Sequence, residues 1–218
     1  MPTIVIASPK GGAGKSTSSV ILATEMALAG ANVALLDCDP NNSVTLWSKR
    51  ADVPKGITVH SDVGESGIVK TVKALDKDGQ LVIIDLEGVA SRLVSRAISQ
   101  ADLVITPMRA TTLDATIGVR ALELIAEEEE ALNRAIAHAV VFTMTRAIRS
   151  KQQKGIHKSL EEQGVDVIDP PLMERAAFSA LFEFGGNLRT MPPQGNMDGA
   201  ISNAQQFAQA VYKRLVGE

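Results

Sequence analysis

The densest chemical signal in this chain is Pro9-Lys-Gly-Gly-Ala-Gly-Lys-Ser-Thr17. Gly11, Gly12 and Gly14 let backbone N–H groups turn inward and approach phosphate oxygens where a Cβ would block them. The loop from Gly11 through Ala13 to Gly14 therefore reads as a phosphate cradle. Lys15 has the spacing that reaches β- and γ-phosphates, the Ser16 hydroxyl that of a Mg²⁺ ligand, and Thr17 lies within reach of the α-phosphate. The stretch meets the pattern G-x-x-x-x-G-K-[ST] only in part, because Pro9 stands where the first glycine usually sits. A second lysine, Lys10, follows it and adds one more cation than a single cradle needs. The expected ligand is a nucleoside triphosphate.

Two acidic elements follow. Val33-Ala-Leu-Leu-Asp37-Cys-Asp39-Pro40 places two carboxylates at the end of an apolar run, on one side of the strand if it stays extended. There Asp39 could orient an attacking water or hold the hydration shell of a metal. Leu81-Val-Ile-Ile-Asp85-Leu-Glu87-Gly88 is an apolar strand ending in an acid, the pattern of a Walker B element, with Asp85 expected to reach Mg²⁺ through water. Gly88 offers a backbone able to change conformation beside the γ-phosphate. Glu87 could position water, pair with a lysine or face solvent, and no catalytic role is assigned to it.

These residues need strands to carry them to one edge. Strand-like runs fall at Thr3–Ala7, Val33–Asp37, Leu81–Asp85, Leu103–Thr106 and Ala139–Met144, with weaker candidates at Ile57–His60 and Val165–Ile168. Their nearly continuous apolar character suits strands buried on both faces. Helical patterns lie near 16–29, 43–51, 66–76, 91–100, 112–130, 150–163 and 198–216, and Thr190–Asp198 reads as a loop. This alternation predicts an α/β fold of three layers, a mostly parallel, doubly wound sheet flanked by helices, as in P-loop NTPases. No repeat or linker divides the sequence, so residues 1–218 are expected to form a single domain.

Composition narrows the function classes. With 22 basic and 25 acidic residues the formal charge is −3, so bulk charge predicts neither nucleic-acid nor membrane binding. The lone Cys38 excludes a disulfide within one chain and suits a reducing compartment. The first residues lead straight into a strand, and no apolar run approaches ~18 residues, so a cytoplasmic protein is expected. His60, His138 and His157 lack metal-ligand spacing. Trp47 reads as a packing residue, and Glu127–Glu130 as a solvated helix face.

Lys10–Thr17, Asp37–Pro40 and Leu81–Asp85 resemble the deviant-Walker ATPases of the ParA/MinD family. The likeness continues through Asp102–Pro107, Thr143–Arg146 and Pro171–Phe178, and is strongest to the small ParF-type partition ATPases; VirC-type proteins of DNA transfer are similar too. The resemblance implies an ATPase requiring ATP and Mg²⁺. Lys10 would be the signature lysine that crosses to the partner subunit's nucleotide, with Lys10, Lys15 and Asp39 as the catalytic set. Ser16, Asp39 and Asp85 would form the metal side, and Thr145-Arg146 would lie near the adenine. It further implies a homodimer on ATP with polymerisation open to it, a ParB-like centromere-binding partner, non-specific DNA, and a cytoplasmic protein associating with the nucleoid. Two positions depart from the pattern: Asn41 stands where Gln is common, and Glu87 where a small residue or Pro is usual.

Arg146, Arg149, Lys151, Lys154 and Lys158 concentrate positive charge around one helix start. They either contact DNA phosphates without reading bases or form a solvated face, and the resemblance favours the first. Arg149, Lys151 and Lys154, with Arg189 as an addition, form the candidate DNA surface. Residues 211–218 carry only two basic side chains, which argues against a membrane-targeting tail. The alternatives are a metabolic P-loop phosphotransferase or ligase, for which Lys10 would have no use, a VirC-like DNA-transfer accessory ATPase, and a regulatory module that holds ATP.

Overall fold

Ile4, Val5 and Ile6 are all fully buried, yet they serve different cores: Ile4 and Ile6 join one apolar cluster and Val5 another. Successive side chains of a strand point to opposite faces, so such a segment must be covered on both sides. The structure, a computed structural model, describes residues 1–88 and 91–217, with Ile117 described by its backbone only.

The elements run β1 (Thr3–Ile6), α1 (Lys15–Leu28), β2 (Val33–Cys38), α2 (Ser43–Ser48), β3 (Ile57–His60), α3 (Ile68–Lys77), β4 (Leu81–Leu86), α4 (Arg92–Ile98), β5 (Leu103–Arg109), α5 (Thr112–Leu132), β6 (Ala137–Thr145), α6 (Lys151–Glu162), β7 (Val167–Met173), α7 (Ala176–Phe184) and α8 (Met197–Val216). The strands form one seven-stranded sheet in the order β3-β2-β4-β1-β5-β6-β7, and every neighbouring pair is parallel. One face packs on α1, α2, α7 and α8, around Ile21, Leu22, Trp47, Phe178 and Phe207. The other packs on α3, α4 and α5, around Ile68, Leu75, Ile98 and Ile125. A smaller cluster, with Phe142 and Leu160, seats α6 at the far end.

This order puts β1 in the middle, with β4 and β5 on either side. Ile6 stands opposite Asp85 of β4, which in turn stands opposite Asp37 of β2. The carboxyl ends of β1, β2 and β4 are therefore level, and the loop leaving β1 opens over the acids of the other two. Ligands of open α/β sheets collect at this edge, where the order of strands reverses.

The sheet and most helices fall where the sequence predicts them, and β5 runs on to Arg109; two further differences are larger. β7 runs on to Met173 through Pro170 and Pro171, well past the expected end at Ile168. It is an edge strand, where a proline's missing N–H removes no necessary ladder bond. The helix α7 was not expected at all. Its sequence, AAFSALFEF, has little polar face to mark a helical period, because Ala177, Phe178, Ala180 and Leu181 are buried. Trp47 is fully buried and donates its indole N–H to the Gly186 carbonyl at 3.0 Å, a packing role as read.

Candidate nucleotide site

The loop from β1 to α1 has the shape its glycines suggest. Gly12 and Gly14 have φ of 71° and 92°, left-handed conformations that other residues adopt only with strain. Gly14 also tolerates little bulk, since a Cβ there would stand 3.3 Å from the Thr143 side chain. The neighbouring strands hold the loop: Thr143 Oγ1 donates to the Ala13 carbonyl at 2.7 Å, and the Arg109 guanidinium donates to the Gly12 carbonyl at 3.2 Å. Gly14 caps α1 without any side-chain hydrogen bond, so the first-turn N–H groups of that helix keep their capacity for an anion.

Lys15 is buried and its ammonium donates to the Lys10 carbonyl at 3.4 Å, curling back over the loop. Gly88 leaves room for it, because a Cβ there would lie 3.3 Å from Lys15 Nζ and 3.2 Å from the Gly11 nitrogen. A cleft of about 530 Å³ opens in front, lined by Gly11, Gly12, Gly14, Lys15, Ser16, Thr17, Asp39, Asn41, Glu87, Gly88, Met144 and Phe182. Residues from the loops that follow β2 and β4 thus meet the P-loop in one cavity. Lys10 lies on the wall of this loop, with its ammonium paired to the buried Asp114 carboxylate of α5.

The two acids of β2 do different work. Asp37 is buried and accepts from the Thr45 N–H and hydroxyl, both at 2.7 Å, so it fastens α2 to the sheet. Asp39 lies past the strand end, and its Oδ1 accepts from the Asn41 backbone N–H and side-chain amide, both at 2.8 Å. Asn41, the departure from the family pattern, therefore aims the carboxylate facing the cleft. Asp37, held by Thr45, does not line the cleft that Asp39 lines.

Asp85 is fully buried, accepts from the Ser19 hydroxyl at 3.0 Å, and leaves Oδ2 without a partner. Burial pushes its carboxyl up to about 7, and the Asp37 charge adds to this, while the Ser16 and Ser19 hydroxyls and Lys15 pull it down. An unpartnered buried carboxylate oxygen beside Ser16 fits a hydrated cation. Among the described residues no three His, Cys, Asp or Glu side chains gather into a metal cluster. A cation here would therefore complete its shell from water and phosphate, as Mg²⁺ does. Cys38 is buried, and burial with the Asp37 and Asp85 charges pushes its thiol up to about 12, leaving it inert.

A smaller recess of about 100 Å³ adjoins the cleft, lined by Thr17, Met144, Met173, Glu174, Arg175 and Phe178 among others. Thr145 and Arg146, expected near the base, line neither cavity. Thr145 is buried with its hydroxyl turned inward, and Arg146 is exposed. Met144 reaches both cavities, as Gly14 and Thr17 of the loop do, and has a positive φ of 51°. Sequence reasoning missed Met144, Phe178 and Phe182, since β6 and α7 approach the loop only through tertiary packing. Glu87 is half-buried between the cleft and an apolar cavity of about 350 Å³ that α4 and α5 help to line.

The basic surface divides. Lys151 and Lys154 are exposed on α6, while Arg149 pairs with Asp169. Arg189 does not belong with them. It makes two hydrogen bonds to the buried Glu25 of α1, at 2.7 and 2.9 Å, on the opposite face of the sheet. A guanidinium spent on a buried carboxylate is a structural anchor.

A strand, a glycine loop, a buried lysine at an uncapped helix start and an acid at the neighbouring strand end define a P-loop nucleotide-binding protein. The CobQ/CobB/MinD/ParA nucleotide-binding domain model matches residues 4–188, and the chain belongs to that family. It is 63% identical over 217 residues to Protein ParA of Rhizobium radiobacter, covering 99% of this chain and 98% of the relative. Protein virC1 of Rhizobium rhizogenes is 27% identical, over 100% of this chain and 98% of its own length. Among solved structures, a protein of Borrelia burgdorferi B31 described as a plasmid partition protein, bound to AMPPNP, superposes with a TM-score of 0.70 at 19% identity, over 98% of this chain and 99% of that one. No described helix is long and apolar enough to cross a membrane.

Proposed function

We propose that this chain is the ATPase of a ParA-type DNA partition system, which alternates between a monomer and an ATP-bound homodimer. What carries the reading is the meeting of P-loop and Asp39 around one cleft, with Asp85 buried behind it against Ser19 of α1 and a second lysine on the same loop, in a chain so close to Protein ParA. The P-loop N–H groups and Lys15 hold the β- and γ-phosphates, and Thr17 serves the α-phosphate. Ser16 and Asp85 would hold Mg²⁺, directly and through water, and a bound ion would supply positive charge against the phosphate oxygens. Asp39, aimed by Asn41, orients the attacking water. Lys10 reaches the triphosphate of the facing subunit, which makes ATP part of the dimer interface and offsets repulsion between two polyphosphates. The dimer binds DNA without reading its sequence, a ParB-like centromere-binding protein accelerates hydrolysis, and the monomers separate. This cycle belongs in the cytoplasm, on nucleoid DNA.

The test is Mg²⁺-dependent ATP turnover, with and without duplex DNA and the cognate centromere-binding protein. A slow basal rate should rise when both are added. Asp39→Ala should still bind ATP but hydrolyse it ~10²–10⁴-fold more slowly, the usual cost of one positioned group. Unchanged turnover in that variant would move the water-orienting role to Glu87. Transfer of the γ-phosphoryl group to a small acceptor would replace partition by a metabolic reaction.

A further inference from the structure

Lys10 has a second partner that the cycle above leaves out. Its ammonium pairs with Asp114 in the first turn of α5, a carboxylate whose side chain is only 2% exposed. Asp114 Oδ2 accepts from the Thr111 hydroxyl at 2.5 Å, and the Asp114 N–H donates back to Thr111 Oγ1 at 3.1 Å. Thr111 is the N-cap of α5, so this reciprocal pair fixes the carboxylate to the helix start. Oδ1, the atom that meets Lys10, is buried and has no other partner. Burial alone would raise the Asp114 carboxyl, yet Lys10 and Thr111, with Arg109 nearby, hold it below the usual carboxylate range. It is therefore a fixed, buried negative charge facing a lysine whose side chain is 31% exposed.

We infer that Asp114 is a positioning residue that restrains Lys10 within its own subunit and competes with the facing subunit's triphosphate for it. The inference rests on the reading of Lys10 as the lysine that crosses the dimer. When Lys10 leaves, the buried Oδ1 loses its partner, and a buried carboxylate oxygen left unpaired is costly. That cost opposes dimerisation in each subunit. Only a ligand with enough negative charge on the far side overcomes it, which favours a triphosphate over a diphosphate. After hydrolysis the same pairing draws Lys10 home and helps the dimer open. The Arg109 contact to the Gly12 carbonyl ties the same β5–α5 corner to the P-loop, so the restraint acts from a rigid base.

The experiment is a comparison of dimer dissociation constants by sedimentation for wild type, Asp114→Asn, Lys10→Ala and the double variant, each with ATP or ADP and Mg²⁺. Asn keeps the size of the side chain and its oxygen toward Thr111 while removing the charge, and a thermal melt verifies folding. Each subunit should contribute about 3- to 10-fold, the scale of a partly exposed ion pair, so Asp114→Asn should tighten the ATP dimer roughly 10- to 100-fold and permit measurable dimer with ADP. In the Lys10→Ala background the Asp114→Asn substitution should change nothing, because the interaction is between these two residues. An unchanged or weaker ATP dimer in Asp114→Asn, with Lys10→Ala still weakening dimerisation, would overturn the restraint and leave the proposed cycle standing. An ATP dimer that survives Lys10→Ala would overturn both. If Asp114→Asn does not fold, Thr111→Val loosens the carboxylate instead and should tighten the dimer in the same direction; no tightening would count against the restraint.

Discussion

Asp37 and Asp85 stand opposite each other on neighbouring strands, yet their surroundings give them opposite roles. Asp37 spends its acceptor oxygen Oδ2 on Thr45, whereas Asp85 keeps one oxygen unpartnered in a fully buried position. In the chain without nucleotide or metal, this raises the Asp85 carboxyl from 3.8 to about 7. The unfolded chain releases that proton near 4 and the native chain holds it to near neutrality. The group's favourable contribution is therefore complete below about pH 4 and is lost as pH rises towards 7. Asp85→Asn has no such loss. Its stability relative to wild type should rise between pH 4 and 7 and level off above, by at most on the order of 4 kcal/mol. Urea unfolding of both proteins in EDTA at several pH values measures this, and a difference that stays constant with pH would refute it. Most residues of this site were legible in the sequence because each motif is local: the loop glycines, Lys15 and Ser16 adjoin, and Asp39 and Asp85 end apolar strands. Met144 was not, because its positive φ falls where the pairing of β6 with β7 is irregular and has no signature in Thr-Met-Thr-Arg.

At the scale of elements, legibility followed exposure. Helices such as α3 and α6 have one wet face, so their period shows in the sequence. α7 is short and packs on α2, and its exposed stripe, Ala176, Ser179 and Glu183, carries a single charge, so little marks it as helical. Its end is specified by backbone geometry. Gly185 has φ 74° and ψ −165°, a region open essentially to glycine alone, and a Cβ there would lie 2.7 Å from the Ala51 nitrogen and 2.9 Å from Arg50 Cβ. The next residue, Gly186, receives the Trp47 indole, so this corner locks α2 to α7. Gly185→Ala should cost about 1–3 kcal/mol for the backbone alone, plus the clash. With ~2–4 °C lost per kcal/mol in a chain of this size, the melting temperature should fall by several degrees or more. Because Phe182 lines the nucleotide cleft from α7, ATP affinity should weaken alongside it. An unchanged melting curve would mean that the α2–α7 corner yields freely.

The molecule as a whole carries a formal charge of −3, so the DNA binding of the proposed cycle requires a local patch, which dimerisation would double. Two of the four candidate side chains are already engaged: Arg189 by Glu25 and Arg149 by Asp169. Lys151 and Lys154 remain exposed at the start of α6, where an uninterrupted phosphate backbone could meet them. Each phosphate contact contributes about 0.9 to the slope of log affinity against log salt on duplex DNA. Replacing both lysines by Gln removes four contacts from a dimer, so the slope should fall by about 3 to 4. The loss should be equal on two unrelated random-sequence duplexes, since these contacts read no bases. Arg149→Gln should do less, because its guanidinium must first leave Asp169. Arg189→Gln should leave the slope unchanged but lower stability, because Glu25 would remain buried without its partner. A salt titration of each variant with ATP and Mg²⁺ separates these outcomes. If the double lysine variant keeps the wild-type slope while Arg189→Gln loses affinity, the DNA lies against α1 and α8, on the other face of the sheet.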